Sequence, residues 1–442
     1  MKTIDEALDF LYSFINYETD AQYSYDSIHY NVVRTLKLLE KLGSPHEGIK
    51  VIHVAGTKGK GSVCQILSTL LRARCLSTGL FTSPHIMRIN ERISVNGEEI
   101  SDEELIALLN RFPPLIDSFP HDNLPTTFEI LTALAMLHFR QRGVCYAVLE
   151  TGMGGRFDST NFCDPEISVI TSVSYDHMDK LGERIEQIAF EKAGIIKPNR
   201  PVVVGHQVYD VGEIFKKKAK EGKSPLYLTS ELSSYTIERM TAQGTWFSAM
   251  VSERNLTDLF LSLPGRHQVE NAVVALLSLQ VLDMLPEDTG IREALKGLFM
   301  PARLELIERK RRFLLDSAHN ADSARVLAEA VSSAFKKNRL FTVVGIVKGK
   351  DVRGILVHLA GISHELIVTE PITHKELDTE LVFRTARELF PKARLIKDVD
   401  EALQYAQRQS DGEDLILITG SFYVTAPARS LLLATEGQKA VF

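Results

Sequence analysis

Residues 53–67 read HVAGTKGKGSVCQIL, and the fold follows from them. The β-branched run KVIHVA (50–55) leads in, the apolar-periodic SVCQILSTLLRAR leads out, and three glycines lie between. Strand, Gly-rich loop and helix in that order make a phosphate-binding loop. Backbone N–H groups turn inward around an anion, and the helix N-terminus adds partial positive charge. In this reading Gly56, Thr57, Lys58, Gly59, Lys60, Gly61 and Ser62 hold the phosphates of a nucleotide. Lys60 reaches the β- and γ-phosphates, and Ser62 offers a hydroxyl to Mg²⁺. A strict P-loop would have glycine at Val54 and a hydroxyl at Gly61, so this loop is a variant. The bland alternative is a tight turn carrying two solvated lysines, and it gives three glycines no return for their lost entropy.

Working outward, the same alternation recurs. VCYAVLE (144–150), ISVITSV (167–173) and PVVVG (201–205) are continuous apolar runs of the kind buried on both faces of a parallel sheet. Helical patterns lie between them, as in EILTALAMLHFRQR (129–142) and RIEQIAFEKAG (184–194). From about 225 to 263 the texture becomes that of short antiparallel strands, a small appendage. GLFMPARLE (297–305) breaks both periodicities and reads as a linker. RFLLD, LFTVVGIV, ELIVTEP, ARLIKD and DLILITG then form a second series. The expectation is an α/β protein with two domains: residues 1–298, a nucleotide-binding domain with a parallel sheet and a small β appendage, and 299–442, a Rossmann-like domain.

Composition agrees. The chain has 442 residues, 51 Lys+Arg against 57 Asp+Glu, a net charge of −6 and 44% hydrophobic residues. That is too long for one usual core, and it offers no basic face for nucleic acid or a membrane surface. No run approaches the roughly 18 apolar residues that would span a bilayer, and the first residues lack a signal-peptide pattern. Four cysteines without a CxxC pair read as free thiols in a reducing cytoplasm.

AGTKGKGS resembles the nucleotide loop of the Mur ligase superfamily, and more narrowly that of folylpolyglutamate and dihydrofolate synthases. TSPHIMRINERI (82–93), ETGMGGRFDSTN (150–161), YDHMDKLG (175–182), FEKAGIIK (190–197), GRHQVENAVVA (265–275), LDSAHN (315–320) and GSFY (420–423) are similar to that family's segments in the family's order. The resemblance spans nearly the whole chain. It implies a monomeric, ATP- and Mg²⁺-dependent ligase that adds L-glutamate to a folate, or to dihydropteroate. The nearest rival is a Mur-type ligase acting on a cell-wall or peptide precursor; a P-loop ATPase without ligase chemistry is the rival from another class.

Glu150, at the end of an apolar run, is placed to present a carboxylate to Mg²⁺, although a surface acid at a strand end is common. The resemblance selects Glu150, Ser83 and His177 as Mg²⁺ ligands and assigns Thr82 to the substrate. Hydroxyl and carboxylate oxygens suit that hard cation, and an imidazole is less usual. Lys192 looks like one more solvated charge on its helix, whereas the resemblance implies a carbamate there that holds a second Mg²⁺. Carbamylation needs a neutral amine, hence a depressed pKa. Thr126 and Glu129 form a Thr-x-x-Glu capping box before an apolar run. The resemblance places Thr126, Thr127 and Phe128 on one wall of a pterin pocket and Phe157, Asp158 and Ser159 on the other, with Asp158 accepting from the pterin.

Similarity also carries Asn271, Arg303, Asp316 and His319 to the ATP site. Asp316 ends a strand, where it could accept from a ribose hydroxyl. The family usually has glycine at Ala302 and proline at Ala321. The first change matters only if the backbone at Ala302 needs a positive φ.

Overall fold

The computed structural model describes residues 1–17, 23, 25, 26, 29–373 and 375–434. The chain divides into two compact units, one of Met1–Thr236, Phe247–Phe260 and Gln268–Leu298, the other of Ile237–Trp246, Leu261–His267 and Phe299–Phe442.

The first unit is built on eight strands: β1 (Lys50–Ala55), β2 (Thr78–Phe81), β3 (Ile93–Val95), β4 (Glu98–Glu99), β5 (Tyr146–Glu150), β6 (Ile167–Ile170), β7 (Val202–Val204) and β8 (Leu226–Leu228). Their order is β4-β3-β2-β5-β1-β6-β7-β8. The six from β2 to β8 are parallel, while β3 and β4 add an antiparallel edge. β1 sits between β5 and β6 and is buried from Val51 to Ala55, so its apolar run is covered on both faces. The helices Thr127–Gln141 and Ile185–Ala193 supply core to two separate clusters, one around Phe81, Leu134 and Phe139, the other around Ile170, Ile188 and Phe215.

β9 (Ser233–Thr241), β10 (Gly244–Val251) and β11 (Arg254–Leu261) form a three-stranded sheet whose residues are shared between the two units. The sequence reading found two of these strands; the third, RNLTDLFL, alternates weakly and carries Asp258 with φ 54°.

The second unit holds β12 (Glu305–Glu308), β13 (Arg312–Leu315), β14 (Leu340–Val344), β15 (Glu365–Val368), β16 (Arg394–Leu395) and β17 (Leu415–Thr419), in the order β12-β13-β17-β14-β15-β16. All neighbours are parallel except β12 with β13. The five strands read from the sequence are present. β12 was missed because ELIE is a short edge strand with a charge at each end.

Candidate active site

The motifs of the first unit meet at one edge of its sheet. The glycine loop follows β1, Thr82 and Ser83 follow β2, Glu150 ends β5, and His177 lies in the segment after β6. These are neighbours in the sheet, and the carboxyl edge of parallel strands is where such folds bind ligands.

Gly59 has φ 83° and caps the 14-residue helix Lys60–Ala73 without a side-chain hydrogen bond. The first N–H groups of that helix are thus left to an anion. A Cβ on Gly59 would lie 2.2 Å from Asn271 Oδ1, and one on Gly56 1.8 Å from Thr171 Oγ1. The loop is glycine because its neighbours leave no room, and Asn271, distant in sequence, is one of those neighbours. At Thr57 and Lys58 the expectation of inward-facing N–H groups is corrected. Both donate to the Ser172 carbonyl, at 2.8 and 3.3 Å, and so tie the loop to the chain after β6.

Lys192 is 4% exposed, and its Nζ donates to the Gly56 carbonyl at 2.8 Å. Burial, then the like charge of Lys60, pulls its pKa down to about 7, against smaller opposing effects of Asp176 and Asp158. The solvated-charge alternative is therefore overturned. The sequence reading also missed what holds Lys192 there. The Arg156 N–H donates to the Glu191 carbonyl at 2.9 Å, and its guanidinium grips the Glu191 carboxylate at 2.7 and 3.0 Å. A Cβ on Gly155 would press on the Glu191 and Lys192 carbonyls, and one on Gly194 would overlap Arg156. Those two glycines were the available signal.

Gly56, Thr57, Lys60, Gly152, Asp176, His177 and Lys192 line one cleft. His177 is exposed and has φ 49°, a left-handed conformation uncommon outside glycine. A second concavity of about 280 Å³, at Asn31, Arg34, Lys37, Lys41 and Phe119, contains none of the motif residues.

The set fits Mg²⁺. Glu150 is 3% exposed, and the Ser83 N–H donates to its Oε2 at 3.1 Å, so the hydroxyl-bearing residue and the carboxylate are already adjacent. Buried Thr151 Oγ1 and Ser174 Oγ have no hydrogen-bond partner among the described residues. Among those residues no three His, Cys, Asp or Glu side chains converge. A sparse oxygen set suits Mg²⁺, which keeps waters and takes phosphate oxygens.

The residues assigned to the pterin wall are tied into the fold. Thr126 caps the helix Thr127–Gln141 in a reciprocal box with Glu129, as the spacing predicts. Glu129 is moreover paired with buried Arg34, at 2.6 and 2.7 Å. Thr127 Oγ1 donates to the Leu11 and Phe14 carbonyls. The Phe128 ring fills the space a Cβ on Gly152 would need, and Phe157 packs near Tyr25. Asp158 is 3% exposed and accepts from the Met153 and Thr160 N–H groups and the Thr160 hydroxyl, while Ser159 bonds Thr132. Both side chains also hold their own loop.

In the second unit, Arg303 stacks 5.2 Å from the Phe422 ring, and His319 lies 5.9 Å from it. Asp316 is buried and accepts from the Leu304 and Ala318 N–H groups, each at 3.0 Å.

The sequence matches the Mur ligase middle domain over residues 54–279 and the Mur ligase glutamate ligase domain over 302–422. It is 34% identical over 407 residues to the dihydrofolate synthase/folylpolyglutamate synthase of Bacillus subtilis, covering 90% of this chain and 94% of that one. The chain belongs to the folylpolyglutamate synthase/dihydrofolate synthase family of Mur ligases. Within that family it is also 34% identical to the folylpolyglutamate synthase of Lacticaseibacillus casei, over 90% of this chain and 94% of the relative. The folylpolyglutamate synthase of Mycobacterium tuberculosis complexed with ADP superposes with a TM-score of 0.88 at 30% identity, covering 98% of each chain. No helix among the described residues is long and apolar enough to cross a membrane.

Proposed function

We propose that this chain is an ATP-dependent ligase joining L-glutamate to a folate carboxyl, and that it acts on both tetrahydrofolate and dihydropteroate. One observation carries the reading. Two lysines serve a single phosphate loop, Lys60 at the head of its helix and Lys192 buried against the Gly56 carbonyl, in a member of a glutamate-ligase family.

A carboxylate and an ammonium ion do not condense in water. Transfer of the γ-phosphoryl group makes the carboxyl an acyl phosphate, the free amine of glutamate attacks its carbonyl carbon, and phosphate leaves. Lys60 and the N–H groups of Gly61 and Ser62 hold the phosphates and offset their charge, and Asn271 keeps the loop in place. Ser83 and Glu150 would hold Mg²⁺, with Ser62, His177 and a carbamate on Lys192 as further ligands. When bound, the metal supplies charge neutralisation and orientation to the phosphates. The carbamate forms when the neutral amine of Lys192 adds carbon dioxide and releases a proton; a pKa near 7 keeps a large neutral fraction available. Thr82, Thr126, Thr127, Phe128, Phe157 and Ser159 shape the pterin wall, with the aromatic rings as stacking faces. Arg303, Asp316 and His319 keep the nucleotide-binding role that the family resemblance gives them. We take the protein to work as a monomer in the cytoplasm, where its four free thiols would stay reduced.

The test gives purified protein ATP, Mg²⁺ and labelled glutamate with dihydropteroate or tetrahydrofolate. Labelled amide from both is expected. Product from tetrahydrofolate alone makes it a dedicated polyglutamate synthase. Product from neither, with ATP still hydrolysed, overturns the reading.

A further inference from the structure

His53 lies on the central strand β1, three residues before Gly56, and is completely buried between β5 and β6. Its Nε2 is 2.8 Å from Thr160 Oγ1, while its Nδ1 has no partner among the described residues. Burial holds its pKa down at about 3, so the ring is neutral and carries a single N–H.

The direction of each bond follows from chemistry. Thr160 Oγ1 lies 2.5 Å from Asp158 Oδ1, and a carboxylate only accepts, so the threonine hydroxyl donates there. The Thr160 oxygen must then accept from His53, which fixes the ring as the Nε2–H tautomer. Asp158 Oδ1 also accepts from the Thr160 N–H at 3.0 Å, and Oδ2 accepts from the Met153 N–H at 2.9 Å; the Gly152 N–H bonds the same carboxylate. An unbroken chain of bonds thus runs from the strand that carries the phosphate loop to the turn that follows Glu150. Gly152, Met153 and Gly154 of that turn line the cleft together with Lys60 and Lys192.

An ordinary core position would take valine or isoleucine here, as Ile52 and Val54 do on the same strand. A buried imidazole with one bare nitrogen costs free energy unless its other bond returns more. Networks of this kind restrict a site to one arrangement.

We propose that His53 is a positioning residue: through Thr160 and Asp158 it fixes the Gly152–Gly154 turn, and with it the Glu150 carboxylate, against the phosphate loop. The inference deepens the ligase reading, because that turn directly follows Glu150 and borders the cleft to which ATP and Mg²⁺ are assigned.

Two variants cut the chain at different links. His53→Leu keeps the volume and removes the donor; Thr160→Val keeps the shape and removes the hydroxyl. His53→Gln places an amide N–H at similar reach and should restore the link. The first readout is amide hydrogen exchange of full-length protein without substrates, which stands apart from whether the protein is a ligase. Exchange at Gly152 and Met153 should accelerate about tenfold or more in His53→Leu and in Thr160→Val, and return to within about twofold of the parent in His53→Gln. The second readout is the Mg²⁺ dependence of ATP turnover. The half-maximal Mg²⁺ concentration should rise about tenfold in the two cut variants, with the KM for ATP at saturating Mg²⁺ within about twofold and normal Mg²⁺ dependence in His53→Gln. The double variant should be no worse than either single one. Lower melting temperature with parent-like exchange at Gly152 and Met153 in both cut variants would make His53 a plain core residue and overturn the proposal. Should His53→Leu fail to fold, Thr160→Val alone decides it.

Discussion

Two loops of this protein ask the same of the backbone and answer it with different residues. The phosphate loop takes positive φ at Gly56 and Gly59, where a side chain would strike Thr171 and Asn271. The segment at 301–305 takes φ 51° at both Ala302 and Leu304, with no glycine at either. In the first loop the constraint is space; in the second it is torsional strain, held by hydrogen bonds. The Ala302 N–H donates to Glu305 Oε2 at 2.8 Å, the Leu304 N–H to Asp316 Oδ2 at 3.0 Å, and the Ser317 N–H to the Ala302 carbonyl at 3.1 Å. Glycine is indispensable where atoms crowd, whereas a strained alanine can be carried where neighbouring carboxylates hold the turn.

Breaking the first loop should have the largest effect. Gly56→Ala should weaken ADP binding about a hundredfold, equivalent to roughly 3 kcal/mol, because relieving the overlap moves the loop. Titration calorimetry with ADP measures this, and affinity within about threefold of the parent would show that the crowding is relieved at no cost to the site. The second loop should break through its acids. Asp316→Ala leaves the buried Leu304 and Ala318 N–H groups unpaired and should cost about 1–3 kcal/mol in a urea titration of the second unit's signal.

The contrast between the units also has a pH signature. His53, in the first, has its pKa depressed from 6.5 to about 3 by burial. The unfolded chain therefore binds a proton that the folded chain refuses, so stability is full above about 6.5 and falls as the pH drops towards 3, by at most about 1.4 kcal/mol per unit. Urea midpoints measured between pH 7 and 4 should fall more steeply for the parent than for His53→Leu; equal slopes would contradict the depressed pKa. The smallest effect is a gain. Ala302→Gly relieves one left-handed residue and should stabilise the second unit by about 1 kcal/mol, raising its urea midpoint. A lower midpoint would mean that the alanine methyl makes contacts worth more than the strain.

The sequence legible at a glance was the part buried on both faces. KVIHVA, VCYAVLE and DLILITG could be nothing but strands, since a parallel sheet covered on both sides leaves no polar face to confuse the pattern. β4 and β12 were invisible because they are short, charged edge strands, where burial imposes little on composition; β2 is buried but only four residues long, with a threonine and a glycine among them. The glycine loop was legible because only glycine fits there. Lys192 was not: FEKAG carries the charges of any surface helix, and Gly155 and Arg156, which pack against it, meet it only in three dimensions. Asp158 and Asp316 have a duty the sequence does not show, because the backbone N–H groups that each carboxylate satisfies are brought to it only by the fold.

The central claim is that the carboxyl of the folate is activated by phosphoryl transfer, and oxygen labelling tests it most directly. Tetrahydrofolate carrying ¹⁸O in its γ-carboxyl is turned over with ATP, Mg²⁺ and glutamate, and the released phosphate is analysed by mass spectrometry. The acyl phosphate route predicts one ¹⁸O in each phosphate released per amide formed. Unlabelled phosphate would mean that water, not the folate carboxylate, takes the phosphoryl group, and would contradict the account.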